Sequence, residues 1–230
     1  MPADSSDQKR ILVVDIGGSN IKTLASGQEK RIKIPSEPDL TPDRLVKQVV
    51  EATSHWQYDL VSVGCPCVVS ANKPVKNPIN LGSGWVAFDF EKAFGLPTKV
   101  INDATMQAVG CYDKGSMLFL GFGTGLGTTL IKDGTPVPLE AGHLPYRKDR
   151  SFEDYVGKEG FARLGLEKWN RHALAVIDIL RSACNADDVV LGGGQAELIE
   201  DLPDNTRRVD NRAAFKGGFR LWEKHWLRHF

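Results

Sequence analysis

Two short glycine-rich turns lie between apolar runs, Asp15-Ile16-Gly17-Gly18-Ser19-Asn20 and Gly121-Phe122-Gly123-Thr124-Gly125. Without Cβ atoms, successive backbone N–H groups in such turns can converge on an anion, and two turns could grip a polyphosphate from two sides. The plain alternative is that the glycines only permit tight hairpins. Asp15 stands immediately before the first pair of glycines, where a carboxylate can hold Mg²⁺ through water against phosphates, or simply start the turn. Asn102-Asp103 ends the short strand-like run Thr98–Ile101 and precedes a helical stretch. A carboxylate at a strand end can accept a substrate hydroxyl's proton during phosphoryl transfer, and it can equally cap the helix. Glu140-Ala141-Gly142-His143 sets two hydrogen-bonding side chains three residues apart around a glycine. That suits a ligand with several hydroxyls, or a solvated loop. Gly192-Gly193-Gly194, after the apolar run ending at Leu191, could admit the flat face of an adenine or a ribose, or make a turn. Neither glycine turn is one of the better-known nucleotide loops. GxxxxGK[ST] is absent, and Leu126 and Thr128 stand where GxGxxG needs its third glycine.

The elements that must carry these groups read as a repeated pattern. Strands are expected at Ile11–Val14, Ile21–Leu24 and Arg31–Ile34. A helix follows that opens with Thr41 as N-cap and Pro42 at its first position, with Leu45, Val46, Val49, Val50 and Ala52 at helical spacing. Leu60–Val69 reads as a buried strand interrupted by Pro66, and Asn72–Trp85 as a long loop, a class that is usually functional. Thr98–Ile101 is a strand leading into a helix from Ala104 to about Tyr112. The second half begins as the first did, with strands Met117–Leu120 and Leu126–Ile131 around the second glycine turn and a hairpin turn at Lys132-Asp133-Gly134. Leu166–Cys184 is the longest helix, with Trp169, Ala173, Val176, Ile177 and Leu180 on one face. The strand Asp188–Leu191 and a closing helix over Ala213–Leu227 complete the chain. The repeat divides it into an α/β domain over 1–103 and a second over 104–230, with a closing helix at about 213–228 packing back on the first.

Composition excludes several classes of protein. The 230 residues are 41% hydrophobic and 25% charged, enough for a sizeable core and far from the composition of a disordered chain. Lys plus Arg and Asp plus Glu are both 29, so no overall field draws the chain to nucleic acid or anionic lipid. Arg147, Lys148 and Arg150 form a local basic cluster that reads as a solvated loop. No apolar stretch approaches the roughly 20 residues that cross a bilayer, and Met1–Arg10 is too polar for a signal peptide. A cytoplasmic protein is expected, with neither nucleic acid nor membrane as partner. Cys65, Cys67, Cys111 and Cys184 are too scattered for a disulfide framework, and Cys65-Pro66-Cys67 has too short a spacer for a zinc knuckle. They read as reduced thiols.

Taken in order, Asp15-Ile16-Gly17-Gly18-Ser19, Asn102-Asp103-Ala104, Gly123-Thr124-Gly125-Leu126-Gly127, Glu140-Ala141-Gly142-His143 and Val190-Leu191-Gly192-Gly193-Gly194 resemble the ROK family of sugar kinases, within it the short, polyphosphate-glucokinase-like branch. The match runs from about Ile11 to Trp222. It implies an α/β, actin-like ATPase (ribonuclease H-like) fold of two domains with a central cleft for sugar and nucleotide. It implies Asp103 as general base on the sugar's primary hydroxyl. It also implies sugar contacts from Asn80, Asn102, Glu140, His143 and, on a looser alignment, Glu153. Phosphate and nucleotide contacts are expected from Asp15, Gly17, Gly18, Ser19, Lys22, Gly123, Thr124, Gly125, Gly192, Gly193 and Gly194, with Mg²⁺ held by Asp15 through water. Many members carry a cysteine-rich zinc loop after Glu-x-Gly-His. Leu144–Ser151 has no cysteine, so no zinc site is expected and packing must hold that stretch. Asn20 stands where glycine or threonine is commoner in the family.

The activity implied is phosphoryl transfer from ATP or polyphosphate to the 6-hydroxyl of a hexose, glucose first, by a homodimer. The alternatives are a kinase for another hexose or an N-acetylated aminosugar, and a non-catalytic sugar-binding or regulatory protein of the same fold.

Overall fold

The computed structural model describes residues 9–210, 212–226 and 229. By its internal contacts the described chain forms two compact units, one of residues 9–103 with 218–226, the other of residues 104–210 and 212–217 with 229.

The first unit is built on β1 (Ile11–Ile16), β2 (Asn20–Ala25), β3 (Ile32–Pro35), α1 (Pro42–Ala52), β4 (Leu60–Cys65), the small hairpin β5 (Val69–Ser70) and β6 (Lys73–Pro74), α2 (Phe90–Phe94) and β7 (Thr98–Asn102). Its five-stranded sheet has the order β3-β2-β1-β4-β7. β1 pairs antiparallel with β2 and parallel with β4, so the hairpin half and the parallel half of the sheet meet at one central strand. That strand is apolar on both faces because both are covered. Leu12, Val14 and Ile16 face a core shared with Leu45, Val46 and Val49 of α1. The Thr41 hydroxyl accepts from the Arg44 N–H and Pro42 occupies the first turn, the start the sequence signals. On the opposite face Ser62 donates to the Gly218 carbonyl at 2.7 Å and Trp222 Nε1 donates to Ser62 Oγ at 2.9 Å. Lys99 Nζ donates to the Leu221 carbonyl at 3.0 Å, and burial lowers the pKa of its ammonium.

Two expected elements end early. β4 stops at Cys65, because Pro66 has no N–H for the ladder and Cys67 turns back to bond the Cys65 carbonyl. The closing helix ends at Arg220, and residues 221–226 run on as turns that lay Trp222 and Trp226 against the first unit. Leu227 and Arg228, expected in that helix, lie outside the described residues, as does most of Met1–Arg10.

In the second unit, α3 (Asp103–Cys111) leads into β8 (Ser116–Phe122), β9 (Leu126–Lys132) and β10 (Thr135–Leu139). A short hairpin follows, β11 (Pro145–Arg147) with β12 (Arg150–Ser151), then α4 (Phe152–Val156), α5 (Lys158–Leu164), α6 (Leu166–Cys184), β13 (Asp188–Gly192), β14 (Thr206–Arg208) and α7 (Ala213–Arg220). The sheet order, β10-β9-β8-β13-β14, repeats that of the first unit. α6 buries the five residues its periodicity marks, Trp169, Ala173, Val176, Ile177 and Leu180, and the Trp169 indole donates to the Val156 carbonyl at 2.9 Å.

α3 and α7 cross so closely that only glycine fits. A Cβ on Gly217 would lie 1.7 Å from the Met106 carbonyl oxygen, and one on Gly110 would lie 2.0 Å from that of Ala213. The atoms met are helix backbone, which cannot swing aside. Gly217→Ala is therefore expected to destabilise the protein by about 1–3 kcal/mol or more, the usual cost of overpacking. A urea titration followed by circular dichroism checks this, and an unchanged midpoint would contradict the crossing.

Candidate active site

In the first unit, β1 delivers Asp15 to the mouth of the β1–β2 hairpin. Its carboxylate is buried and meets Lys22 Nζ at 3.3 Å. Burial raises the Asp15 pKa, and the charges of Lys22 and Arg31 pull it back down. The turn beyond is tight: the Gly17 N–H bonds the Asn20 carbonyl at 3.0 Å. Ser36 fastens it from the far end of β3, its hydroxyl on the Gly17 carbonyl at 2.8 Å and its N–H on that of Ser19 at 3.1 Å. Gly18 and Ser19 stand exposed at the tip.

Asn102 and Asp103 lie where β7 passes into α3. Cys65 pairs with Asn102 across the sheet, and Asn102 Nδ2 donates to the Cys67 carbonyl at 3.3 Å. The two thiols are 3.0 Å apart, and their mutual contact, burial and the nearby Asp103 charge push the Cys65 pKa well up. Cys65 is therefore a neutral thiol, and among the described residues none of the four cysteines is in a disulfide. Asn80 is exposed in a loop whose base is closed by the Trp85 N–H on Asn77 Oδ1 at 3.0 Å and the Trp85 indole on the Leu40 carbonyl at 3.3 Å.

In the second unit, Glu140, His143 and Glu153 come together. His143 Nε2 is 3.4 Å from Glu140 Oε2 and His143 Nδ1 is 3.3 Å from Glu153 Oε1. Each carboxylate has more acceptor sites than the one ring nitrogen beside it can use, which leaves capacity for ligand hydroxyls. Thr128 sets the loop's path, its hydroxyl donating to the Leu139 carbonyl at 2.9 Å and accepting from the Ala141 N–H at 3.1 Å. Glu153 rides in the first turn of α4, which Ser151 and Asp154 close with a reciprocal capping box. Its other oxygen, Oε2, takes the Leu126 N–H at 3.5 Å, directly after the Gly123-Thr124-Gly125 turn. A Cβ on Gly125 would sit 2.4 Å from that oxygen, and one on Gly142 would sit 2.6 Å from the Leu126 carbonyl. The Lys158 N–H, at the start of α5, bonds the carbonyls of Gly123 and Thr124 at 3.0 and 3.2 Å. Gly193 adopts φ +84° against the Phe122 backbone, so Gly192–Gly194 and the 123–125 turn flank the same strand end. Glycine turn, sugar-type loop and α4 thus form one packed assembly within this unit.

What holds the 144–151 stretch is not visible in the sequence. Tyr146 packs edge-on against Tyr155 at 5.1 Å, tilts on Phe152 at 5.1 Å and bonds His172 Nδ1 through its hydroxyl at 3.1 Å. Arg147 and Arg163 cover the Tyr146 and Tyr155 rings. The aromatics either side of Glu153 were the available signal. Their partner on α6 was not, since only folding brings His172 to them.

Mg²⁺ fits the first unit's hairpin. Asp15 is a desolvated carboxylate with a single ion-pair partner beside an open turn, and Mg²⁺ is commonly held by one or two carboxylates, water and the substrate's phosphates. Among the described residues no cluster of three His, Cys, Asp or Glu could cage a metal by itself.

No profile of a known protein family matches the chain. Its fold is that of the ROK sugar kinases. It superposes on the inorganic polyphosphate/ATP-glucomannokinase of Arthrobacter sp. strain KM with a TM-score of 0.81, at 22% identity over 96% of this chain and 100% of that one. The Streptomyces griseus ROK-family glucokinase, solved in complex with glucose and AMPPNP, gives a TM-score of 0.74 at 17% identity over 92% and 98% of the two chains. In sequence the chain is polyphosphate-glucokinase-like: it is 26% identical to the Mycobacterium tuberculosis polyphosphate glucokinase, over 83% of this chain and 79% of that one.

The aromatic assembly carries a pH dependence. Burial, then the charges of Arg147, Arg171 and Arg163, lower the His172 pKa. The folded protein therefore favours neutral imidazole, while the unfolded chain protonates near the usual value of about 6.5. The resulting stability is complete above that pH and is lost as pH falls through the lower folded value. The thermal midpoint of the native protein should drop more steeply between neutral and mildly acid pH than that of His172→Phe. Parallel curves would contradict this.

Proposed function

We propose that the protein is a hexose kinase that transfers the terminal phosphoryl group of ATP or polyphosphate to the 6-hydroxyl of glucose. The observation that carries the proposal is the gathering of Glu140, His143 and Glu153 against the Gly123-Thr124-Gly125 turn in the second unit. A polyhydroxylated acceptor and a phosphate donor are the two ligands such neighbours suit. The similarity to polyphosphate glucokinase and the ROK sugar-kinase fold support the same assignment. Because one structural neighbour is a glucomannokinase, mannose is the second acceptor to test.

In this mechanism Glu140, His143, Glu153, Asn80 and Asn102 hold the sugar hydroxyls and so fix the direction of the 6-hydroxyl. Phosphoryl transfer requires little covalent chemistry from a protein beyond such alignment and charge neutralisation. Asp103, as the carboxylate, takes the 6-hydroxyl proton while that oxygen bonds to the terminal phosphorus. The bond to the bridging oxygen breaks, and ADP or a polyphosphate shorter by one unit leaves. The backbone N–H groups of Gly18, Ser19, Thr124 and Gly125, with Lys22, bind the donor's phosphates, while Gly17 and Gly123 close the two turns through their N–H bonds to the Asn20 and Gly125 carbonyls, and the Gly192–Gly194 turn, exposed at Gly194, takes the nucleoside. Asp15 would hold Mg²⁺, which when bound would supply charge neutralisation on those phosphates. A homodimer, cytoplasmic location and Mg²⁺ dependence belong to the same proposal and rest on the motif resemblance.

Asp103→Asn keeps size and polarity but cannot accept the proton. Turnover is expected to fall by about 10² or more, the usual scale of general-base loss, with glucose affinity by calorimetry nearly unchanged. Near-normal turnover in the variant would remove Asp103 from the role.

A further inference from the structure

The first unit carries a row of cations on one face of its sheet. In the strand register Asp15 lies opposite Lys22, and Lys22 lies opposite Lys33. Residues paired across antiparallel strands project from the same face, and the 3.3 Å contact between Lys22 Nζ and Asp15 Oδ2 shows which face this is. Arg31, two residues before Lys33, returns to that face by the two-residue period of extended chain. Its charge is felt at Asp15, where it helps Lys22 offset the effect of burial. With neighbouring strands about 4.8 Å apart, the row extends on the order of 10 Å from Asp15 to Lys33 before following β3 to Arg31.

Two features separate this row from ordinary solvated charge. Lys33 and Arg31 are exposed, and among the described residues neither is within ion-pair distance of a carboxylate. Arg44, on the same unit, shows the common alternative, held by both Glu37 and Asp39. The row also starts at the buried carboxylate beside the Gly17–Ser19 turn, so it continues a phosphate-binding end instead of standing alone. Glu29 and Lys30 at the hairpin tip offset one another in formal charge and leave the row's sign unchanged. A line of cations whose outer two, Lys33 and Arg31, have no ion-pair partner among the described residues, leading away from an anion turn, is complementary to a linear polyanion with one end seated at that turn. A nucleotide has no charge to place there, because its phosphates end in an uncharged nucleoside.

We propose that Lys22, Lys33 and Arg31 form a track for the tail of an inorganic polyphosphate donor. The proposal deepens the hexose-kinase reading and rests on it for what happens at the chain's reacting end. The track itself is a binding property that can be read without turnover.

The test titrates the full chain with long-chain polyphosphate and with tripolyphosphate, measuring binding directly, and then measures donor KM for both and for ATP. The native protein should bind the long chain more tightly than tripolyphosphate, and added salt should erase the difference. Arg31→Glu/Lys33→Glu should weaken long-chain binding and raise its KM by about tenfold, the scale of turning two exposed ionic contacts into repulsions, while ATP kinetics and the thermal midpoint stay at native values. Lys148→Glu, in the other basic loop, should behave as the native protein. Equal native affinity for long and short chains, no effect of the double substitution, or an equal loss in Lys148→Glu would each overturn the track. If no donor yields sugar phosphate, the kinase reading falls, and the direct titration still decides the track.

Discussion

One carboxylate organises the second unit's chemistry. Glu153 reaches the His143 imidazole with one oxygen and the backbone N–H of Leu126 with the other. The first contact belongs to the loop suited to sugar hydroxyls and the second to the end of the phosphate-type turn. Both contacts need side chains to be missing around them. Gly125 leaves the space that Glu153 Oε2 fills, and Gly142 lets its loop lie on the Leu126 carbonyl. The capping box of α4 and the aromatic assembly of Tyr146, Tyr155 and His172 then keep Glu153 at a fixed height. The stretch before α4 is held by edge-on and tilted rings and a tyrosine hydroxyl bond. The 140–143 loop, the Glu153 carboxylate and the 123–125 turn thus hold one another in place, the kind of fixed arrangement on which the proposed alignment-driven transfer would rely.

The first unit solves a different problem, keeping a charge at the end of a strand that is buried on both faces. Asp15 is desolvated, a condition that disfavours its ionised form, and Lys22 across the hairpin supplies the compensating charge. Sheet register makes that pairing unavoidable, since a one-residue slip would turn Lys22 to the opposite face. The same register brings Lys33 and Arg31 into line. A local electrostatic pattern thus arises in a chain whose charges sum to zero.

Much of this was legible in the sequence, for identifiable reasons. The hairpins flanking the glycine turns read directly because β-branched runs stop where glycines begin. α6 read down to its five buried residues because a helix packed on one side needs that spacing. The closing helix reads too long because Phe215, Phe219, Leu221 and Trp222 suit a helix face, whereas Trp222 lies in a turn and covers the sheet around Ser62 and Lys99. Leu60–Val69 reads as a strand interrupted by Pro66, and the break is there, but the chain resumes only as the two-residue strand Val69–Ser70 in a separate hairpin. The residues singled out around Glu140 could be named from motif order, but their mutual contact could not, because it depends on where α4 packs. The cation row was invisible for a similar reason: Lys22 and Lys33 become neighbours only when two strands pair.

The central claim is that this chain forms a phosphate ester on a hexose. The most direct measurement is ³¹P NMR of glucose incubated with the protein and Mg²⁺, once with ATP and once with polyphosphate. The account predicts growth of a single monoester resonance assigned to glucose 6-phosphate with at least one donor. Donors that persist unchanged beside glucose, or that decay only to inorganic phosphate, would contradict it.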